Sequence, residues 1–328
     1  MKILAASLKN KDYLQNYIKI ARPDHWFKNI FMLPGIAFSL IYYDISLINI
    51  NFLMLISGII STCLIASANY VINEWLDAPF DKYHPIKKNR PSVVSDLNRN
   101  LVYFEYFLLA TTGLLIAYFI NIPFFVLSIG LLVSGIIYNV EPIRTKDRAY
   151  LDVLSESLNN PLRLMLGWFL ISPVNINFTD LSWVIIPPSS MLVSYWMGGA
   201  FLMAAKRLSE YKYINDHDTA TLYRKSFQSY NEQKLLLSSF FYALSSSFFL
   251  GIFLIKNKIE LLLSFPLFAG LFTWYLYIAY KKDSSAQRPE KLFNERKFIL
   301  YIFFLVIFIS ILAFTNIEPL QWFLNETF

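Results

Sequence analysis

The feature that most constrains this chain is a series of long, nearly uncharged apolar runs separated by charged segments. A hydrocarbon core about 30 Å thick is crossed by about 20 mostly apolar residues in one helix, because each backbone N–H and C=O must be satisfied within the segment. Nine stretches approach that demand: residues 29–43, 52–74, 101–119, 122–140, 151–172, 183–205, 235–255, 261–280 and 299–317. The fifth is the least regular, since Asp152, Glu156, Asn159, Asn160 and Arg163 interrupt it. Composition points the same way: 56% of the 328 residues are hydrophobic and only 16% charged, against about 25% charged in a soluble globular chain. The expectation is an all-α integral membrane protein with nine transmembrane helices. It forms a single membrane domain over 1–328: a cytoplasmic or interfacial segment 1–28, a bundle 29–317 and an outer-side tail 318–328.

Lys and Arg set the orientation. Segments 1–28, 77–100, 141–150, 206–234 and 281–298 hold 26 of the 29, whereas the alternate loops hold only Lys256 and Lys258. By the positive-inside rule the amino terminus and the polar loops are cytoplasmic and the carboxyl terminus is outside, an arrangement expected in a bacterial-type inner membrane. The net charge of +6 belongs to that face, where topogenesis and attraction to anionic lipid account for much of it; no nucleic-acid partner is implied. Residues 9–22 are expected to form an interfacial helix. No cleavable signal is expected at the amino terminus, and the single Cys63 supports neither a disulfide framework nor a cysteine metal cluster. His25, His84 and His217 share no metal-ligand spacing; only His84 is a candidate site residue.

The second apolar stretch ends in Asn73-Glu74-Trp75-Leu76-Asp77-Ala78-Pro79-Phe80-Asp81. Asn73, Asp77 and Asp81 recur every fourth residue and share one face while the helix persists; Pro79 is expected to loosen the last turn. Carboxylates at a membrane boundary are costly unless they bind something, and hard oxygen donors suit Mg2+, which takes one or two carboxylates plus substrate phosphates. Lys87, Lys88 and Arg90 follow closely, placed to grip the remaining phosphate oxygens. The competing reading is a solvated loop whose acids and bases neutralise each other.

The run N-E-x-x-D-x-x-x-D-x-x-H-P-x-K-x-x-R-P over 73–91 resembles the first signature of the UbiA prenyltransferase superfamily, Asn-Asp-x-x-Asp-x-x-x-Asp, with Glu74 where Asp is usual. The resemblance implies a nine-helix bundle with active-site loops on the cytoplasmic face, Mg2+ as cofactor, and Asn73, Glu74, Asp77 and Asp81 as its ligands. It places His84, Lys87 and Arg90 around the substrate. Arg22-Pro23-Asp24-His25-Trp26-Phe27-Lys28-Asn29 is similar to the R-P-x-x-W-x-K-N opening of one branch, the polyprenyl-phosphate phosphoribosyltransferases, with Lys28 within reach of an anion. The plainer alternative for that stretch is a snorkelling Lys and an interfacial Trp.

Three further stretches extend the resemblance. Tyr138, Arg144 and Lys146 match the family's Tyr-Ser…Pro-Leu-Lys-x-Lys segment in a form closer to branches that prenylate aromatic rings; a positive-inside loop is the alternative. Arg163 within an apolar run costs about 2.5–3.5 kcal/mol even on the lenient insertion scale, so it must face an anion or a carboxylate such as Asp152 or Glu156. Its setting Leu162-Arg163-Leu164-Met165-Leu166-Gly167 resembles the phosphoribosyl branch. Lys206-Arg207-Leu208-Ser209-Glu210, then Arg224-Lys225-Ser226, also resemble that branch and lack the second Asp-x-x-x-Asp of aromatic prenyltransferases. Asp216 and Asp218 offer a carboxylate pair at an unusual spacing, or a plain polar loop.

The resemblance implies that Asp77, Asp81, Lys146 and Arg163 carry the chemistry, and that the substrate is a polyprenyl lipid. The favoured reaction moves phosphoribosyl from phosphoribosyl diphosphate to a polyprenyl phosphate with release of diphosphate. The alternatives are prenyl transfer from a prenyl diphosphate to an aromatic or quinonoid acceptor and, in another class, a multi-helix transporter without catalysis.

Overall fold

A computed structural model of the protein describes residues 14–172, 185–281, 284–287 and 289–321. Its principal helices are α1 (Leu33–Tyr42), α2 (Phe52–Asp81), α3 (Arg99–Ile120), α4 (Ile122–Asn139), α5 (Leu151–Ser157), α6 (Asn159–Ile171), α7 (Ser189–Ile214), α8 (His217–Tyr223), α9 (Glu232–Asn257), α10 (Phe265–Tyr280) and α11 (Arg296–Phe314). A helix lies in each of the nine apolar stretches. Among the described residues six are long and apolar enough to cross a membrane: α2, α3, α4, α9, Ile259–Tyr280 (which contains α10) and α11.

The other three depart for visible reasons. The first stretch divides between a 3-10 segment, Pro23–Met32, and the ten-residue α1. The fifth is interrupted at Leu158 between α5 and α6, although Leu158 itself keeps a right-handed helical backbone; Pro161, one turn on, has no N–H to donate back. The sixth, α7, is long enough but dilutes its apolar residues with Ser, Gly, Tyr and charged side chains. The expected surface helix is present over residues 14–20; residues 9–13, 183–184 and 322–328 of the expected segments lie outside the described residues.

Contacts divide the chain into two compact units, Met1–Pro187 with Asp216–Ser229 and Pro188–Asn215 with Tyr230–Phe328. In the first, small and amide side chains draw the helices together, as packing in lipid requires where no hydrophobic force acts between helices. A Cβ on Gly35 would stand 1.9 Å from the Leu164 carbonyl oxygen, and one on Gly167 2.1 Å from that of Met32, so α1 and α6 touch backbone to backbone. Ser61 Oγ donates to the Gly113 carbonyl at 2.7 Å, and Asn69 Nδ2 to that of Leu131 at 2.8 Å, tying α2 to α3 and α4. Asn51, Asn98 and Asn121 cap α2, α3 and α4 by accepting N–H bonds at the first turn.

In the second unit Ser194 and Ser246 bond reciprocally to each other's carbonyls at 3.0 and 2.9 Å, closing α7 on α9. On α11 only Phe298, Leu305 and Leu312 are buried, a stripe seven residues apart. Phe303, Phe304, Ile307, Ile311 and Phe314 face outward, apolar surface that a bilayer solvates.

Candidate active site

Helix α2 continues through Pro79 to Asp81, so the polar residues at its end stay in helical phase. Asp77, Phe80 and Asp81 line a pocket in the first unit, together with Arg144, Lys146 and Asp147 from the turn after α4 and Tyr223, Arg224 and Lys225 from the end of α8. Three carboxylates and four cations thus meet within one cavity.

Asp77 is the centre of the first cluster. Its Oδ1 lies 2.5 Å from Lys146 Nζ and 3.2 Å from Arg144 Nη2, while its Oδ2 accepts from Asn73 Nδ2 at 3.2 Å. Asn139 Oδ1 receives both Lys146 Nζ (2.8 Å) and Asn73 Nδ2 (2.5 Å). Arg144 holds a left-handed backbone, φ 26°, a costly conformation for a residue with a Cβ. Its side chain donates to the Asn139 carbonyl at 3.1 Å and pairs with Asp147 at 3.2 Å. Burial pushes the Lys146 amine down to about 8 against the pull of Asp77.

Asp81, almost fully buried, pairs with Arg90 at 2.6 Å. Although burial opposes its charge, Asp81 and then Glu74 hold the Arg90 guanidinium above its ordinary range. Glu74 is buried, with Ser92 Oγ 3.5 Å from its Oε1, and it is not among the residues lining the pocket. His84 Nδ1 accepts the Ile86 and Lys87 amides at 3.1 and 3.2 Å, which puts a neutral ring's proton on Nε2. The His84 ring meets Tyr223 edge-on at 4.7 Å, and Lys87 Nζ contacts the Tyr223 hydroxyl.

The segment 216–229 leaves α7 yet belongs to the first unit. Asp216 caps α8, accepting the Thr219 amide at 2.9 Å; both Asp216 and Asp218 are exposed and outside the pocket lining. Arg224 Nη1 donates to the Tyr138 hydroxyl at 3.3 Å, and Lys225 pairs with Asp147 at 3.3 Å. Phe80, Asp147 and Tyr223 were not among the candidates taken from sequence, whereas Arg224 and Lys225 stood out there as part of a family-like run without an assigned role. The available signal was the Tyr-Arg-Lys-Ser-Phe run itself, whose cations sit between buried Tyr223 and Phe227.

A second polar group in the same unit surrounds Tyr70. Lys28 Nζ stands 5.4 Å over its ring, and His25 meets it edge-on at 5.4 Å. Arg163, only 7% exposed, donates from Nε to Asn29 Oδ1 at 2.9 Å, and Asn29 donates to Cys63 Sγ at 3.1 Å. Among the described residues no carboxylate lies within ion-pair distance of Arg163; Asp152 instead accepts Ser226 Oγ at 3.1 Å and faces Arg224 at 3.9 Å. Lys206, Arg207 and Glu210 belong to the second unit, where Arg207 and Glu210 form a buried ion pair at 2.8 Å.

Among the described residues no three His, Cys, Asp or Glu side chains gather into a metal cage. The pocket instead presents Asp77 and Asp81, one helical turn apart, with Asn73 beside Asp77. That oxygen set fits Mg2+, which fills its octahedron with water and substrate phosphates rather than an all-protein cage. The surrounding cations fit the phosphate oxygens left over.

The sequence pattern of the UbiA prenyltransferase family matches residues 32–305. A decaprenyl-phosphate phosphoribosyltransferase of Mycolicibacterium smegmatis is 25% identical over 232 residues, 69% of this chain. The match spans 65% of that relative, a little under two thirds of its length. A solved UbiA homolog from Archaeoglobus fulgidus, bound to GPP and Mg2+, superposes with a TM-score of 0.66 at 19% identity, over 90% of this chain and 97% of the other. A solved digeranylgeranylglyceryl phosphate synthase gives 0.59 at 15% identity, over 91% and 98%. At those identities the superpositions establish the all-helical fold.

Proposed function

This chain belongs to the UbiA prenyltransferase family, and from that premise we propose that it transfers phosphoribosyl from phosphoribosyl diphosphate to a polyprenyl phosphate, releasing diphosphate. Asp77 and Asp81, with Asn73, hold Mg2+, and Glu74 adds negative charge behind Arg90. When bound, Mg2+ supplies neutralisation of the departing diphosphate. Lys146, Arg144 and Arg90 hold the oxygens on which charge grows as the bond from the sugar carbon to diphosphate breaks; Lys87, His84 and Tyr138 flank them. An oxygen of the lipid phosphate forms the new bond to that carbon. The acceptor is already anionic, so it needs cations to place it rather than a strong base. The uneven distribution of Lys and Arg supports a cytoplasmic face for these loops.

The observation that carries the acceptor assignment is Arg163. A guanidinium 7% exposed, with a single Asn29 bond and no carboxylate at ion-pair distance among the described residues, needs an anion from elsewhere. The name of the Mycolicibacterium smegmatis relative supports a lipid phosphate as that anion. For the second reading, prenyl transfer to an aromatic ring, the GPP in the Archaeoglobus fulgidus homolog supports the prenyl diphosphate donor alone. Purified protein with Mg2+ and polyprenyl phosphate, offered radiolabelled phosphoribosyl diphosphate, is expected to yield labelled lipid. Labelled aromatic product from prenyl diphosphate and phenolic acids, with no labelled lipid, would establish the second reading instead.

A further inference from the structure

Asp152 is the second residue of α5, has no exposed surface and does not line the pocket. A carboxylate buried to that degree is sustained only by partners. Its Oδ2 accepts Ser226 Oγ at 3.1 Å and lies 3.9 Å from Arg224 Nη1, the nitrogen that also donates to the Tyr138 hydroxyl at 3.3 Å. On its own side, the Asp152 amide donates to the Arg148 carbonyl at 2.9 Å, which fixes the carboxylate to the turn carrying Arg144 and Lys146. Asp152 therefore joins the two chain segments that bring cations to Asp77. One is covalently continuous with α5. The other, 224–226, is held by the Ser226 hydrogen bond to the carboxylate, by the Asp152–Arg224 ion pair and by the buried Phe227.

We propose that Asp152 is a positioning residue which, through Ser226 and Arg224, aims the Arg224 guanidinium at the diphosphate in the pocket. Ser226 fixes the backbone turn; the carboxylate charge and Tyr138 fix the direction of one Arg224 nitrogen. Arg224 itself lines the cavity that Asp77 and Asp81 share. This assignment rests on the diphosphate-binding reading of the pocket.

Calorimetric binding of inorganic diphosphate with Mg2+ to the purified full chain tests both, using wild type and the variants Asp152→Asn, Asp152→Glu, Arg224→Ala, Ser226→Ala and Asp152→Asn/Arg224→Ala. Asp152→Asn is expected to weaken binding about tenfold, the scale of a charge-assisted hydrogen bond, with Asp152→Glu recovering part of it. The double variant should bind no more weakly than Arg224→Ala alone, since Asp152 acts through that side chain. Unchanged affinity in a folded Asp152→Asn protein, or losses that multiply in the double variant, would overturn the proposal. Should Asp152→Asn fail to fold, Ser226→Ala decides: weakened binding with an ordinary melting temperature supports the proposal, and unchanged binding overturns it. Wild type that does not bind Mg2+–diphosphate would remove the underlying reading as well, an outcome separable from the others.

Discussion

Lys146 Nζ lies 2.5 Å from Asp77 Oδ1, and Asn139 Oδ1 takes the same ammonium at 2.8 Å. The carboxylate assigned to the metal and the amine assigned to the phosphate thus hold one another. A Mg2+–diphosphate ligand gives each a new partner of the right sign, so binding exchanges ion pairs instead of stripping buried charges bare. Lys146→Met should keep the apolar stem while removing the charge. It is expected to raise KM for the diphosphate substrate at least about tenfold, leaving Asp77 with Arg144 and Asn73; steady-state kinetics at saturating lipid would measure it.

Asp77→Asn and Asp81→Asn are each expected to lower turnover at least about a hundredfold, since removing a ligand charge also strands neighbouring cations. Both sites are largely buried, so stability should fall as well, by about 1–3 kcal/mol. Asp81→Asn should fall further, because the Asp81 side chain is 2% exposed against 14% for Asp77. Thermal melting in detergent and Mg2+ titration of activity separate the two effects. Full activity at ordinary Mg2+ in either variant would sink the metal assignment.

Much of this arrangement is legible in sequence for a physical reason: α2 is one continuous helix, so Asn73, Asp77 and Asp81 share a face. The same phase explains why Glu74 lies elsewhere. At about 100° per residue it stands a third of a turn from Asn73, and the structure places it by Ser92. Arg224 and Lys225 are a different case. They reach Asp77 and Asp147 from a turn far along the chain, and no local periodicity says which loop cations fold inward. Nor does apolarity alone fix helix regularity: residues 151–172 read as one span, but the helix is interrupted at Leu158 between α5 and α6.

The close approach of α1 and α6 gives a stability test independent of chemistry. Gly35→Ala or Gly167→Ala would place a methyl about 2 Å from a backbone oxygen, where no side-chain rotation relieves it. Each is expected to destabilise by about 1–3 kcal/mol or more. Gly251→Ala on α9 has nothing within 4 Å of the new carbon and should instead gain up to about 1 kcal/mol of helix propensity. Melting temperatures of the three variants would check the contrast.

Arg163 decides between the two transfer reactions. Had it been the structural partner of Asp152 or Glu156, its removal would destabilise the bundle and a paired double variant would recover part of the loss. Asp152 bonds Ser226 and faces Arg224, and among the described residues neither it nor Glu156 pairs with Arg163, so no such recovery is expected. Arg163→Ala removes one hydrogen bond from a charged donor to Asn29, worth about 1.5–3 kcal/mol, and should leave the protein folded. If the guanidinium receives the acceptor phosphate, KM for polyprenyl phosphate should rise at least about tenfold while binding of inorganic diphosphate with Mg2+ is unchanged. Asn29→Ala, which frees the guanidinium to swing, should shift the same parameter less. A folded Arg163→Ala protein with ordinary lipid kinetics would leave the phosphoribosyl reading without its main support, because the buried cation would then have no anion to explain it.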